Sequence, residues 1–356
     1  MANVLDLRRR IRSVKNTRQI TKAMKMVAAA KLRRSQERAF AARPYARMIA
    51  SVLASLVRRV DIYDSETGEA KHPLLVVREE KRVTVVVVTG DKGFAGPFNA
   101  NVLKATHRFI EDHADLDIDL EVVGRKGIGV LRRSYGLAST AENEQQSRQS
   151  RQARARKTRV EITGEHGGLL DKLSFEKAAD LSSLLVDRYA SEETDAVYLV
   201  FNEFQSVISQ RIVVERILPI LEVGKPDTAV VTEMEREERE EMAKAAQSAG
   251  VSIQAEDTRQ ADEEAAKFGT AQVDYIYEQS PSDLMGALLP RYIATQLYHA
   301  MLESVAAEHA ARMTAMDAAT NNASDMIDAY TLTMNRLRQA AITKEIIEIV
   351  SGAAAI

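Results

Sequence analysis

Apolar and small residues near the start of the chain recur at Leu7, Ile11, Val14, Thr21, Ala28, Leu32, Ser35, Ala39 and Ala42. Steps of three, four and seven residues are heptad spacing, the period of a helix that lies along another helix. From about Asn3 to Leu56 there is no glycine, and Pro44 is the only proline. The pattern predicts one helix roughly 80 Å long at 1.5 Å per residue, bent or interrupted late in its course at Pro44.

The end of the chain reads the same way. Between Arg291 and Val350 there is neither proline nor glycine, and Pro290 suits the first turn of a helix. A weak, alanine-rich stripe runs through Leu297, Met301, Val305, Glu308, Arg312, Ala315, Ala319, Asn322, Met326 and Thr333. A strong one follows at Leu337, Ala341, Ile342, Ile346, Ile349 and Val350, with Gly352 as a stop. This helix would reach roughly 90 Å.

Between them the pattern changes to strands alternating with helices. Val83–Thr89, Ile118–Val123 and Ala196–Phe201 read as strands; Asn99–Glu111, Lys126–Ser134 and Phe175–Ala190 read as helices. Such alternation implies a mostly parallel sheet, with Ser206–Glu215 as an added strand at its edge. The predicted fold is an α/β head with a long antiparallel α-helical coiled coil formed by the N- and C-terminal helices. It divides into residues 1–60 (first coiled-coil helix), 75–223 (Rossmann-like head), 225–270 (charged helical insertion) and 283–356 (second coiled-coil helix). Within the head, residues 139–158 are rich in Ser, Gln and Arg and read as a solvated loop. In the insertion, Met234–Gln247 reads as a lone exposed helix supported by Glu-to-Arg spacings.

Composition narrows the function classes. There is no cysteine, which excludes disulfides, thiol catalysis and cysteine-ligated metal sites. No run of eighteen apolar residues occurs, so no membrane span is expected. The Arg-rich start could pass for a transit peptide, but its helical pattern continues far beyond one and reads as mature helix. Net charge is only −2, yet it is unevenly spread. Residues 1–60 carry sixteen Lys and Arg against Asp6 and Glu37, whereas residues 225–270 carry twelve acids against six bases. The basic helix fits a solvated face, nucleic acid or an acidic protein surface. Nucleic acid is disfavoured by the lack of interleaved aromatics and of base-reading residues in a zipper arrangement.

Candidate chemistry is sparse. Thr89–Gly96 (TGDKGFAG) sits between a strand and a helix, where a phosphate-binding loop would lie. Its spacing matches neither dinucleotide nor P-loop fingerprints, so it reads as a tight structural turn, as does Gly124–Gly129. The histidine pairs 107/113 and 299/309 lack ligand spacing. No nucleophile–base pair stands out, and no catalytic residue, metal or cofactor is expected.

Two long stretches carry a resemblance. Ile11–Leu32 (IRSVKNTRQITKAMKMVAAAKL) resembles the N-terminal signature of ATP synthase γ subunits. At the other end so do Leu288–Tyr292 (LLPRY), Ala310–Met316 and Arg338–Ala353 (RQAAITKEIIEIVSGA). Two departures stand out: Gly93–Asn99 reads GFAGPFN where the family commonly has G-L-C-G-x-[FY]-N, and Met334-Asn335 replaces a frequent Tyr-Asn. Chloroplast relatives carry a regulatory cysteine pair that this chain lacks.

The resemblance implies a non-catalytic rotor of the F-type proton-transporting ATP synthase. The coiled coil would turn inside a ring of three α and three β subunits, where β carries catalysis. The head would hold the ε subunit and the membrane c-ring, peripheral to the cytoplasmic side of the cell inner membrane. By matching position, Arg312, Gln339, Thr343 and Glu345 resemble the family's contacts to β. Arg8, Arg9, Arg10, Lys15, Lys22 and Lys25 would face acidic β loops, with Met24 beside them. Ile342, Ile346 and Ile349, with Ala353–Ala355 at the tip, would turn in an apolar bearing. The 225–270 insertion is expected either as a tolerated surface helix or as one that brakes rotation or touches ε or the stator.

Overall fold

The computed structural model describes residues 4–57, 72–137, 158–221, 227–251 and 280–353. The predicted loop at 139–158 lies outside them apart from Thr158, as do residues 225–226 and 252–270 of the insertion and the extreme tip at 354–356. Helix α1 spans Val4–Val57 and helix α6 spans Pro281–Ala353. Residue numbers rise on one helix as they fall on its partner: Thr21 meets Thr320 at 2.8 Å, Lys25 meets Asp317 at 2.6 Å and Arg43 meets Glu303 at 3.6 Å. The pair is therefore antiparallel. Close approach is made by small side chains, with Ala28, Ala29, Ala306, Ala307 and Ala310 all buried at the crossing.

Pro44, expected to bend or interrupt the first helix, and Pro290, expected in the first turn of the last, both lie inside continuous helices. An internal proline costs one backbone hydrogen bond and about 3 kcal/mol. Here it is offset by apolar anchors on either side: Ile49, Leu53 and Leu56 after Pro44, and Leu289, Tyr292 and Ile293 around Pro290. The true start of α6 is set by Ser280, whose Oγ accepts from the Asp283 amide at 3.2 Å. Pro281 then occupies the first-turn position that suits proline, which leaves Pro290 nine residues inside the helix. At its other end α6 runs to Ala353, one residue past the expected stop.

The head is a seven-stranded sheet in the order β3-β4-β2-β1-β5-β6-β7. Its strands are β1 (Arg82–Val88), β2 (Asp117–Val123), β3 (Gly136–Leu137), β4 (Val160–His166), β5 (Ala196–Ser206), β6 (Ser209–Leu218) and β7 (Asp227–Glu233). The first five are parallel to one another and the last two antiparallel to their neighbours. Helices α2 (Phe98–Asp112), α3 (Arg125–Ser134) and α4 (Phe175–Ala190) make the crossovers. The β6 strand lies three residues later than predicted and is not the edge. The edge is β7, formed from the start of the insertion, so the sheet extends beyond residue 223.

Alternation along β1 links head and shaft. Val83, Val85 and Val87 face α2, packing with Val102 and Phe109. Val86 and Val88 face the opposite way, into a core shared by α4 with Leu53 and Leu56 of α1 and Leu289, Leu297 and Met301 of α6. A strand covered on both faces needs a continuous β-branched run, which RVTVVVV supplies. The lower shaft is thus one of the layers of the head.

The insertion's helix, α5 (Arg236–Ala249), is neither lone nor fully exposed. Met242, Ala245 and Ala246 are buried against the Ala28, Leu32 and Ala306 region of the shaft. Its charged run Arg236–Glu241 fills the first turns, and the apolar positions at 242, 245 and 246 further along form the stripe that docks.

Candidate functional site

Three stretches of the shaft carry the residues singled out above. At the tip, every side chain from Arg338 to Ser351 is exposed. Gln339, Thr343 and Glu345 lie there, with Ile346 and Ile349 at 55% and 71% exposure. Among the described residues α1 begins at Val4, which the antiparallel register places opposite the 337 region of α6, and α6 continues for roughly 20 Å past that level. This stretch of α6 bears five exposed isoleucine and valine side chains (Ile342, Ile346, Ile347, Ile349, Val350), an apolar surface of the kind that marks an interaction site.

Along α1, Arg8, Arg9, Arg10, Lys15 and Lys22 are exposed and Met24 is half-buried. Lys25 differs. It is only 8% exposed, and its ammonium lies 2.6 Å from Asp317 Oδ1 and 2.6 Å from Ser248 Oγ. Its charge is committed inside the chain, so the expected outward-facing role is corrected. The antiparallel register puts Asp317 across from it, and α5 closes over the top.

Arg312 also faces inward. Its guanidinium donates to the carbonyls of Gly93 at 3.2 Å and Lys92 at 3.4 Å, and pairs with Glu308 at 2.5 Å. This clamps the turn after β1 onto the shaft. Phe94 beside it holds φ of 61° with 72% of its surface exposed. Burial raises the Glu308 carboxyl, with Arg312 opposing, and burial and Arg312 together lower His309 to about 4. A cleft of about 250 Å³ adjoins them, lined by Lys31, Arg34, Arg38 and Lys92 among others.

The glycine-rich turn presents no free phosphate cradle. Asp91 Oδ1 already accepts from the amides of Arg125 at 3.1 Å and Gly168 at 2.7 Å. A carboxylate thus occupies the N-terminus of α3, where an anion would sit. Gly90 is pressed by α6: a Cβ there would lie 2.7 Å from Glu308 Oε1. The crevice at the carboxyl ends of the strands, where ligands settle in open α/β sheets, is filled here by the shaft itself.

One cluster escaped sequence reasoning. Glu303 on α6 is buried, 3.6 Å from Arg43 and 3.5 Å from His299 Nδ1. Burial pushes Glu303 up to about 8 against the pull of Arg43, pushes Glu215 on β6 to about 7, and lowers His299 to about 4. The four-residue step from His299 to Glu303 within an apolar stripe was the available signal.

The sign for stability follows. A raised carboxylate contributes stability that is full below its ordinary value of 4.5 and is lost as pH rises through its folded value, about 8 for Glu303. His299 and His309, held near 4 against an ordinary 6.5, act oppositely and only below 6.5. Stability therefore falls between pH 6.5 and 8. Glu303 contributes a slope of up to about 1.4 kcal/mol per pH unit. Glu303→Gln flattens that fall, as denaturant melts at pH 6.5 and 8 would register.

Comparison with known proteins agrees with this architecture. A family model described as ATP synthase matches residues 3–356. The ATP synthase gamma chain of Solibacter usitatus is 44% identical over 355 residues, covering 100% of this chain and 99% of that one. That of Geobacter metallireducens is 42% identical over 358 residues with the same coverage. In fold, the chain is similar to one from the Euglena gracilis mitochondrial ATP synthase (OSCP/F1/c-ring, rotational state 3), with a TM-score of 0.52 at 16% identity, covering 99% of this chain and 94% of that one. It is also similar to one from the Tetrahymena thermophila mitochondrial ATP synthase central stalk and c-ring, with a TM-score of 0.50 at 21% identity, covering 84% and 99%. With full-length relatives at this identity on both sides of the alignment, the chain belongs to the ATP synthase γ-chain family.

Proposed function

We propose that this chain is the central rotor shaft of an F-type ATP synthase and that it performs no catalysis itself. The observation that carries the reading is the tip of α6, whose apolar side chains stand exposed past the first described residue of α1. That surface suits a ring of α and β subunits closing around it as a bearing. Catalysis then falls to β, and the head meets ε and the c-ring on the cytoplasmic side of the cell inner membrane. No helix among the described residues is long and apolar enough to cross a membrane, so attachment would come through the complex. The nucleic-acid alternative has no observation in its favour.

Coupling in such a shaft is differential contact: each face must favour one state of a β subunit over its other states. Gln339, Thr343 and Glu345 offer polar handles near the tip. Arg8, Arg9, Arg10, Lys15 and Lys22 offer charge to acidic loops, while Lys25 and Arg312 hold the shaft together from inside. Reversing the charge at Arg9, Arg10 and Lys22 together is expected to cut ATP-driven proton pumping in the reconstituted complex severalfold, with folding unchanged. Pumping that stays at the wild-type level, in a complex that assembles normally, would contradict the electrostatic contact.

A further inference from the structure

The insertion meets the rest of the molecule at two places. Its strand β7 pairs along β6, with Val213 opposite Val230 and Glu215 opposite Thr228. Two residues later α5 begins, and its inner face is buried against both long helices. Met242, Ala245 and Ala246 share one core with Ala28 of α1, Ala310 of α6 and Phe98 of the head. Head, insertion and shaft therefore have a common interior.

Polar ties add direction to this contact. Lys25 Nζ donates to Asp317 Oδ1 on α6 and to Ser248 Oγ on α5, each at 2.6 Å, joining three helices through one buried ammonium. The Gln210 amide of β6 reaches Met242 Sδ at 3.5 Å from the sheet side. The helix stops cleanly after the tie: Gly250 takes φ of 69°, and the Val251 amide donates to Ala246 O at 3.0 Å. Its acids Glu237, Glu240 and Glu241 face outward.

We infer that β7 and α5 form a strut, fastened by Lys25, that turns with the shaft and braces its neck against twist. The inference rests on the rotor reading above. Torque between head and shaft otherwise passes only through α1 and α6, which lie close to the shaft axis. A third helix set off that axis, anchored to the sheet edge at one end and to the shaft at the other, stiffens the neck because torsional rigidity rises steeply with radius. Lys25 is a positioning residue in this scheme. Undocking α5 would leave the Lys25–Asp317 pair in place but strip the Ser248 hydroxyl from the buried ammonium and return Met242, Ala245 and Ala246 to water, so the strut stays docked.

Hydrogen exchange on the full-length chain tests the tie. In Lys25→Met, amides of residues 236–249 are expected to exchange at least tenfold faster than in the wild type, while those of β1 and α4 keep their rates. Ser248→Ala, a milder change, should give a smaller rise in the same segment and serves if Lys25→Met does not fold. The reversed pair Lys25→Asp with Asp317→Lys should recover part of the protection. Unchanged exchange in α5 for both single variants would overturn the tie. In the assembled α/β ring, with the shaft held and a bead on the head, Lys25→Met should also widen the bead's angular fluctuation. Faster α5 exchange with the same angular spread would overturn the brace. A wild-type chain that never joins the ring would count against the rotor reading, and the exchange result would still decide the tie.

Discussion

Gly124→Ala is expected to destabilise the folded chain by about 3–5 kcal/mol. Gly124 joins β2 to α3 with φ of 95°, a backbone conformation side chains rarely adopt. A Cβ there would lie 2.0 Å from the carbonyl oxygen of Thr89, which belongs to the neighbouring turn and cannot swing away as a side chain would. Thr89 is itself held: its Oγ1 donates to Val123 O at 2.8 Å and accepts from the Gly127 amide at 2.9 Å. The two turns after β1 and β2 are thus a single packed unit, and the substitution forces them apart. Gly129→Ala is the control, since nothing lies within 4 Å of its added methyl on the exposed side of α3. It should be neutral or stabilising by about 0.5–1 kcal/mol through helix propensity. Urea melts of the two variants beside the wild type would check both values.

Arg312→Ala should cost about 3–5 kcal/mol at pH 8. It leaves the Glu308 carboxyl buried without its partner and takes a donor from the carbonyls of Lys92 and Gly93. Glu308 is already raised by burial, and loss of Arg312 raises it further. A raised carboxylate contributes stability present at low pH and lost as pH rises, so the deficit should be smaller at pH 5 than at pH 8. The double variant Arg312→Ala with Glu308→Gln should recover part of the loss at pH 8, since no buried charge then stands alone. Equal deficits at pH 5 and pH 8 would show that Arg312 acts through its backbone contacts alone. In the complex, losing Arg312 loosens one of the contacts that fasten the head to the shaft, so coupled synthesis should fall with stability.

What could be read from the sequence was whatever depends on near neighbours. The heptad steps of α1 and α6 and the valine run of β1 are local patterns, and each marks an element within a residue or two of its observed ends, apart from the start of α6. Elements set by distant partners stayed hidden. β3 is two residues long, and β4 carries Gly164, which is required because Glu121 from β2 fills the space a Cβ would occupy. β7 alternates polar and apolar residues too weakly to stand out, and exists because β6 offers it an edge. Pro290 imitates a helix start, but the start belongs to the Ser280 cap ten residues earlier. The fate of Lys25 was least legible, since burial depends on the pairing register of two helices far apart in sequence and on a third helix that covers it. The resemblance singles out Arg312, but its inward grip joins it to a head turn far away in sequence, which no local pattern reveals.

The most direct test of the central claim is to watch this chain turn. A bead would be fixed to its head, and the α and β subunits of the same organism would be co-expressed with it and immobilised as a ring. On adding ATP, the account predicts stepwise rotation of the bead in one direction, with hydrolysis that depends on the presence of the chain. A ring that hydrolyses ATP at the same rate without it, or a bead that never turns in an assembled complex, would contradict the assignment as a rotor.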